Sequence, residues 1–280
     1  MERQRTRGVL TVVAALALLA GIGGATSPAG AQQNPASSHL TKVTKSGKVV
    51  VCIWPEYYGI SYRNPKSREL EGIDIDLARE FGKELKAQVE WVETTFATFI
   101  ADLLVGKCDI GMSGFAASLA RAQAVEFSEP YLVASSVGVT RKNHPKIKRW
   151  EDVDQKGHVV AVQLGSVAEP LMKSHLKHAQ VLAVQPPATR EQEVAAGRAD
   201  ILVTDLAVAK KLEAFNDWAK IVMPPGRLGY WPYAYAVAPG DQIWLNWINL
   251  FVQTIRRDGR LVTYAKKNDL ETMAQPMVIQ

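Results

Sequence analysis

Residues 106–114 read GKCDIGMSG and residues 197–205 read GRADILVTD. Both run glycine, basic residue, small residue, aspartate, then a strand-like apolar stretch that ends in small or polar residues. An earlier pair repeats the relationship: residues 47–54 are GKVVVCIW and residues 157–164 are GHVVAVQL. Short apolar strands resemble one another by chance, but two pairs in the same order point to one supersecondary unit used twice. In the first unit KVVVCIW is a β-rich apolar run, and DIDLAREFGKELK sets Leu77, Phe81 and Leu85 four apart on a helical stripe. QVEWVE then alternates as a strand. TFIADLLVG follows, with Phe99, Ile100, Leu103 and Leu104 on one helical face and Gly106 as a stop. The second unit repeats the plan in HVVAVQ, PLMKSHLKH, AQVLAV, TREQEVAAG and ADILVT, with Pro170 suited to a first helical turn.

Alternating strands and helices predict parallel sheets with right-handed crossovers. The expected class is α/β, with two lobes, each a mostly parallel sheet flanked by helices. Ligands of open α/β sheets bind beyond the carboxyl ends of the strands. Here those ends are Trp54 onward, Ser113 and Gly114, residues 163–166, and Thr204 and Asp205. A cleft with part of a site on each wall is the expectation.

The 280 residues are 47% hydrophobic and 22% charged, an ordinary globular balance that argues against disorder along most of the chain. Residues 1–31 stand apart. Arg3, Arg5 and Arg7 precede an apolar run over 9–20, and Ala29-Gly30-Ala31 follows as a small-residue cleavage site. That combination reads as a secretory signal, since the run is shorter than the roughly 20 residues of a spanning helix. The mature chain is expected to begin near Gln32, outside the cytoplasmic membrane. The leader's three arginines and one glutamate account for +2 of the net +5, leaving a charge too mild to imply nucleic acid. Lys142, His144, Lys146, Lys148 and Arg149 read as a solvated surface loop. Cys52 and Cys108 either bridge or stay apart; sequence does not fix their separation. With no CxxC and no histidines clustered near the thiols, no metal or cofactor is expected.

The candidate site begins at Arg121, a lone guanidinium seven residues after Gly114, with Ser118 placed to cap a helix before it. Its planar fork suits a carboxylate; the plain alternative is a surface arginine. Asp205 ends a strand, where it can hold an ammonium group, cap the helix LAVAKKLEAF, or do both. Gly165 and Ser166 open a helix, where backbone N–H groups attract anions, and Ser166 with Glu169 fits a capping box. Trp54, Tyr57, Tyr58 and Tyr62 crowd the first strand tip and Phe96 starts the next helix. These rings are pocket walls or core, and as walls they favour an aromatic, apolar or cationic side chain.

Taken together, these segments resemble the family 3 extracellular solute-binding proteins, the periplasmic receptors of polar amino acid ABC transporters. LEGIDIDLAREFGKEL is similar to the family's Gly-Phe-Asp-x-Asp-Leu segment, with Ile73 for the phenylalanine. GKCDIGMSGFAASLARAQAVEFSEPYL is similar to its third-strand signature, VVAVQLGS to its Gly-Thr segment and GRADILVTD to its Asp-ending strand. YAYAVAPGDQIWLNWINLFVQTIRRDGRLVTYAKKN resembles its C-terminal strand and helices. The resemblance implies a two-lobed periplasmic-binding-protein-like fold of type II. Residues 48–132 and 234–280 would form lobe one and 133–233 lobe two, after a signal peptide over 1–31 and an N-terminal extension over 32–47. Hinge strands would pass near residues 131–135 and 229–233. By position Arg121 would take an α-carboxylate and Asp205 an α-ammonium. Gly114 would contribute its backbone, Ser166 a hydroxyl and an N–H, and Tyr57 and Phe96 a sandwich. Trp54, Ser113, Gln163, Gly165 and Thr204 complete the expected ligand set. Ala116 stands where the family usually has serine or threonine, and Trp54 where it has a small or acidic residue. The implied function is capture of an amino acid or similar carboxylate by a monomeric, non-enzymatic periplasmic protein that delivers it to a membrane permease. Two alternatives remain. One is an exported dehydratase-like enzyme acting on prephenate or arogenate, with Glu169 or Glu56 as its acid. The other is a ligand-sensing partner of a membrane kinase.

Overall fold

The computed structural model describes residues 35–274, and the basic-apolar leader with its expected cleavage point lies outside them. The chain opens with α1 (His39–Ser46), then β1 (Lys48–Ile53), β2 (Glu56–Tyr57), β3 (Ser61–Arg63) and β4 (Leu70–Glu71). Next come α2 (Ile73–Leu85), β5 (Gln88–Glu93), α3 (Phe99–Leu104), β6 (Ile110–Gly111), β7 (Glu126–Phe127) and β8 (Leu132–Arg141). The second unit holds β9 (Val159–Gln163), α4 (Ala168–His175), β10 (Gln180–Val184), α5 (Arg190–Ala195), β11 (Ile201–Asp205) and α6 (Leu206–Phe215). It continues through β12 (Ala219–Val222) and β13 (Leu228–Tyr233), and β14 (Ala236–Val237), α7 (Gln242–Arg257) and α8 (Arg260–Lys267) finish the chain.

The internal echo is a structural repeat. One sheet runs β5-β1-β6-β14-β7 and another β10-β9-β11-β8-β12, so each unit's first strand lies between its second and third. Those three strands are parallel in both sheets. Antiparallel strands then complete each sheet: β14 and β7 in the first, β8, β12 and β13 in the second. The echoed aspartates explain why GKCD and GRAD look alike. Asp109 accepts from the Val50 N–H at 2.8 Å and Asp200 from the Val159 N–H at 2.7 Å, each tying the start of the third strand to the first. Structural equivalence pairs Val51 with Val160, each opposite an isoleucine, Ile110 or Ile201. Aligning Gly47 with Gly157 is therefore one residue out. In a strand that slip would exchange the two faces.

Helix α2 shows how sequence fixes the first lobe. Gly72 holds φ 125°, and a Cβ there would lie 2.4 Å from the Ile60 carbonyl oxygen, so only glycine fits before the helix. Asp74 and Asp76 sit in the first turn, where the helix dipole favours anions. The Leu77, Phe81 and Leu85 stripe is buried, and Phe81 meets Trp244, Trp247 and Phe251 of α7 edge-on. The expected face of α3 is narrower than its spacing implied: Phe99 and Leu103 are buried, whereas Leu104 is 51% exposed. The residues just before β1 are structural. Ser38 caps α1, and Asp241, which caps α7, accepts from the Ser38 hydroxyl and the His39 N–H.

Cys52 and Cys108 form a disulfide between β1 and the residue before Asp109. The basic run over 142–149 is not wholly solvated. His144 is buried, bonds Asp200 through Nε2, and accepts from the Ile147 N–H through Nδ1. Between the two large sheets the chain passes twice in adjacent extended segments. There the Tyr131 N–H donates to the Tyr233 carbonyl and the Ser128 N–H to that of Tyr235.

Candidate ligand-binding site

A cavity of about 50 Å³ lies where the carboxyl ends of the two sheets face each other. That is room for a few water-sized groups. Trp54, Tyr57, Phe96, Gly114, Ala116 and Arg121 line one side; Gln163, Ser166, Thr204 and Asp205 line the other.

Arg121 starts a single 3-10 turn, not an α-helix, and its N–H donates to the Ser118 hydroxyl at 3.3 Å. Its guanidinium donates to the Ala116 carbonyl at 2.8 Å and, across the cleft, to the Gly165 carbonyl at 2.7 Å. No carboxylate pairs with it among the described residues. Burial lowers its pKa to about 10, and the neighbouring tyrosines pull only weakly the other way. A cation in this position is electrostatically incomplete, because neutral carbonyls do not replace lost hydration for a full charge.

Asp205 plays both roles open to it from sequence. One oxygen caps α6 through the Val208 N–H at 3.0 Å; the other accepts from the Tyr57 hydroxyl at 2.8 Å, again across the cleft. Burial raises its pKa, and those two donors, with Arg190, oppose the rise. Tyr57 also bonds the Tyr233 hydroxyl, and burial pushes both phenols well above their ordinary range.

Ser166 has its N–H engaged by the Gln163 carbonyl, but its hydroxyl is buried without a partner. The expected capping box is absent. Val167 is the N-cap of α4, and the Glu169 carboxylate reaches back to the Gly165 N–H at 2.8 Å and out to Lys173 at 2.6 Å. Pro170 is the third helical residue, where the missing N–H would have no intrahelical acceptor.

Gly114 has φ 57°, and its N–H donates to the buried Asp74 carboxylate at 2.7 Å, so only its carbonyl remains for a ligand. Ser113 lies beneath the cavity, with its hydroxyl between the Trp54 N–H and Ser61. Gly165 also lies off the wall. Its φ is 74° and a Cβ would come within 2.6 Å of the Ala97 backbone, which makes it a point of close approach between the two sides.

The Tyr57 and Phe96 sandwich is not formed. Their centroids are 5.7 Å apart at 76°, and Trp54 meets both rings, so the three interlock edge to face and leave no slot between them. Tyr58 and Tyr62 stack on each other outside the cavity lining. Sequence reading missed four polar or aromatic wall residues: Ser136 on β8, Arg190 on α5, and Trp231 and Tyr233 on β13. The Trp231 indole donates to the Ser136 hydroxyl at 3.0 Å. An aromatic run, YWPYAY, was the one signal for the last two.

Two α/β lobes that enclose a cavity with a cation from one wall and an anion from the other define a receptor for a small polar solute. The chain belongs to the bacterial extracellular solute-binding proteins, family 3, whose model matches residues 49–268. It is 26% identical over 256 residues to the cyclohexadienyl dehydratase of Pseudomonas aeruginosa, covering 91% of each chain. To the ABC transporter glutamine-binding protein of Bacillus subtilis it is 27% identical over 256 residues, covering 90% of this chain and 92% of that one. Among solved structures it matches an ancestral amino acid-binding protein described as a precursor of cyclohexadienyl dehydratase. That match has a TM-score of 0.76 and 34% identity, covering 82% of this chain and 99% of the other. No helix among the described residues is long and apolar enough to cross a membrane.

Proposed function

We propose that the protein captures an α-amino acid between its lobes in the periplasm and delivers it to an ABC transporter permease. The observation that carries this reading is the unpaired Arg121 facing Asp205 across one cavity. A zwitterion supplies the missing carboxylate and places its ammonium against Asp205. Each charge then meets its opposite, as burial of both requires. Lobe one would be residues 48–132 with 234–280 and lobe two 133–233, swinging about the paired segments near 131–135 and 229–233. The bonds from Arg121 to Gly165 and from Tyr57 to Asp205 join the two lobes and would be broken by such a swing. Relatives named for glutamine, histidine and cystine binding support an amino acid ligand.

The resemblance to a dehydratase keeps a second reading in view. Elimination of water from a cyclohexadienyl substrate calls for a proton donor beside the leaving hydroxyl. Asp205 is the sole carboxylic acid among the lining residues. Glu169 is held by Lys173 and Gly165, and Glu56 is absent from the lining. This arrangement favours binding over turnover.

A thermal-shift screen of amino acids and related carboxylates, followed by calorimetry, tests the proposal, since a ligand raises the melting temperature by mass action. An amino acid bound at micromolar affinity and released unchanged is the expected result. Phenylpyruvate appearing in the ultraviolet on incubation with prephenate, or no amino acid bound at all, would overturn it.

A further inference from the structure

We infer that the ligand carries a second carboxylate, that it is an acidic amino acid, and that Arg190 selects it. This rests on the reading of the site as an amino acid receptor and deepens it.

Arg190 is the first residue of α5, after the cap Thr189, and reaches the cavity from the second lobe. It is 7% exposed, an unusual depth for an arginine. One guanidinium nitrogen donates to the Val203 carbonyl at 3.1 Å, inside the lobe. Another meets Glu191 at 3.3 Å, a long contact to a side chain that is 24% exposed. Its Nε is buried with no acceptor. The nearest structural roles, tying α5 to β11 through Val203 and meeting Glu191, leave Nε without an acceptor.

Charge accounting over the lining then points to the ligand class. Arg121 and Arg190 are cations, Asp205 is the one anion, and Ser136, Gln163 and Thr204 are neutral. An α-amino acid with a neutral side chain satisfies Arg121 and Asp205 and leaves the Arg190 Nε–H unpaired. A cationic side chain would meet a second guanidinium, and the lining holds no second carboxylate to receive it, Glu191 being drawn to Arg190 from outside the lining. A side-chain carboxylate gives Arg190 its missing acceptor. The unpartnered hydroxyl of Ser166 is a further donor on the cavity lining.

Calorimetry on the full mature chain tests this with L-aspartate and L-glutamate against L-asparagine, L-glutamine and L-arginine. The acidic member of each pair should bind at least tenfold tighter than its amide, and arginine more weakly still. Arg190→Gln keeps a donor for the Val203 carbonyl and should erase the preference for acid over amide by weakening the acid. Preference for an amide or for arginine in the wild type would overturn the inference and leave the amino acid receptor intact. So would an unchanged acid-to-amide ratio in a folded Arg190→Gln protein. If Arg190→Gln does not fold, the wild-type order of affinities decides alone. Binding of none of the probes would instead strike the underlying proposal.

Discussion

Replacing Arg121 by methionine keeps most of the side-chain volume and removes the charge and every donor. Two effects on the ligand-free protein oppose each other. Losing the bonds to Ala116 and Gly165 costs about 3–6 kcal/mol at the usual worth of charged hydrogen bonds. Relief of the burial that lowers the pKa to about 10 returns up to about 3 kcal/mol, less in proportion to the solvent the partly exposed group still meets. The remainder is smaller than the total stability of a typical domain, so the variant should fold. Binding has no such compensation. Leaving one partner of a buried charge pair unmatched costs about 2–5 kcal/mol, or roughly thirtyfold to several-thousandfold in affinity. Calorimetry with whichever amino acid the thermal screen identifies, alongside ligand-free melting, reads both quantities. A folded Arg121→Met protein that binds within threefold of wild type would refute the clamp and, with it, the electrostatic argument for the site.

Asp205→Asn keeps one oxygen to accept from the Val208 N–H, turns an amide N–H toward the Tyr57 hydroxyl and drops the charge, so affinity should fall at least about thirtyfold by calorimetry with a smaller effect on melting. Loss of stability without loss of binding would reduce Asp205 to a helix cap. Gly165→Ala adds a Cβ within 2.6 Å of the Ala97 backbone where the two sides meet. It should weaken binding about tenfold or more and leave the ligand-saturated protein larger by small-angle scattering; unchanged compaction would count against closure at this contact. Burial raises the Asp74 carboxyl to about 7. Between the unfolded value near 4 and that value, the folded state holds a proton the unfolded state releases. Stability should therefore fall by up to about 4 kcal/mol as pH rises from 4 to 7 and level off above. In urea melts Asp74→Asn should lose that slope, and an equal slope in both proteins would contradict the assignment. Reducing the Cys52–Cys108 bond, which closes a separation of 56 residues, should cost about 4 kcal/mol in the same assay; a midpoint unmoved by reductant would exclude it.

The fold was legible where local chemistry and global architecture agree. The strands over 88–93 and 159–163 and the helix over 206–215 announce themselves by composition and caps. The glycine-basic-small-aspartate repeat marks one backbone contact used in both lobes. Illegible features were those that depend on partners distant in sequence. Strand β8 is ten residues long and pairs with β11, β12 and β13, all more than sixty residues later, so nothing in its own neighbourhood reveals its antiparallel course. The capping box at Ser166 failed for a related reason. Glu169 has a better partner in Lys173 one turn on, and a start at Ala168 leaves Ser166 facing the cavity.

Within the site, most of the expected residues that line the cavity lie at or just beyond strand tips, because a parallel sheet sends those tips into the cleft, and Arg121 joins them from a 3-10 turn. Arg190 escaped because its neighbourhood, TREQEVAAG, has the pattern of an exposed helix: a threonine cap, acidic residues in the first turn and one apolar position. A first-turn arginine with glutamate beside it looks like surface charge. Only the closeness of α5 to β11, set by the lobe's packing, turns that side chain inward onto the Val203 carbonyl. The same geometry bears on the side-chain preference expected from the aromatic residues. The aromatic residues at the first strand tip are conspicuous and suggest a cationic side chain, yet they spend their faces and edges on one another. Arg190 stands on the opposite lobe, more than 130 residues from Trp54 and Tyr57, and meets the cavity only when the chain has folded.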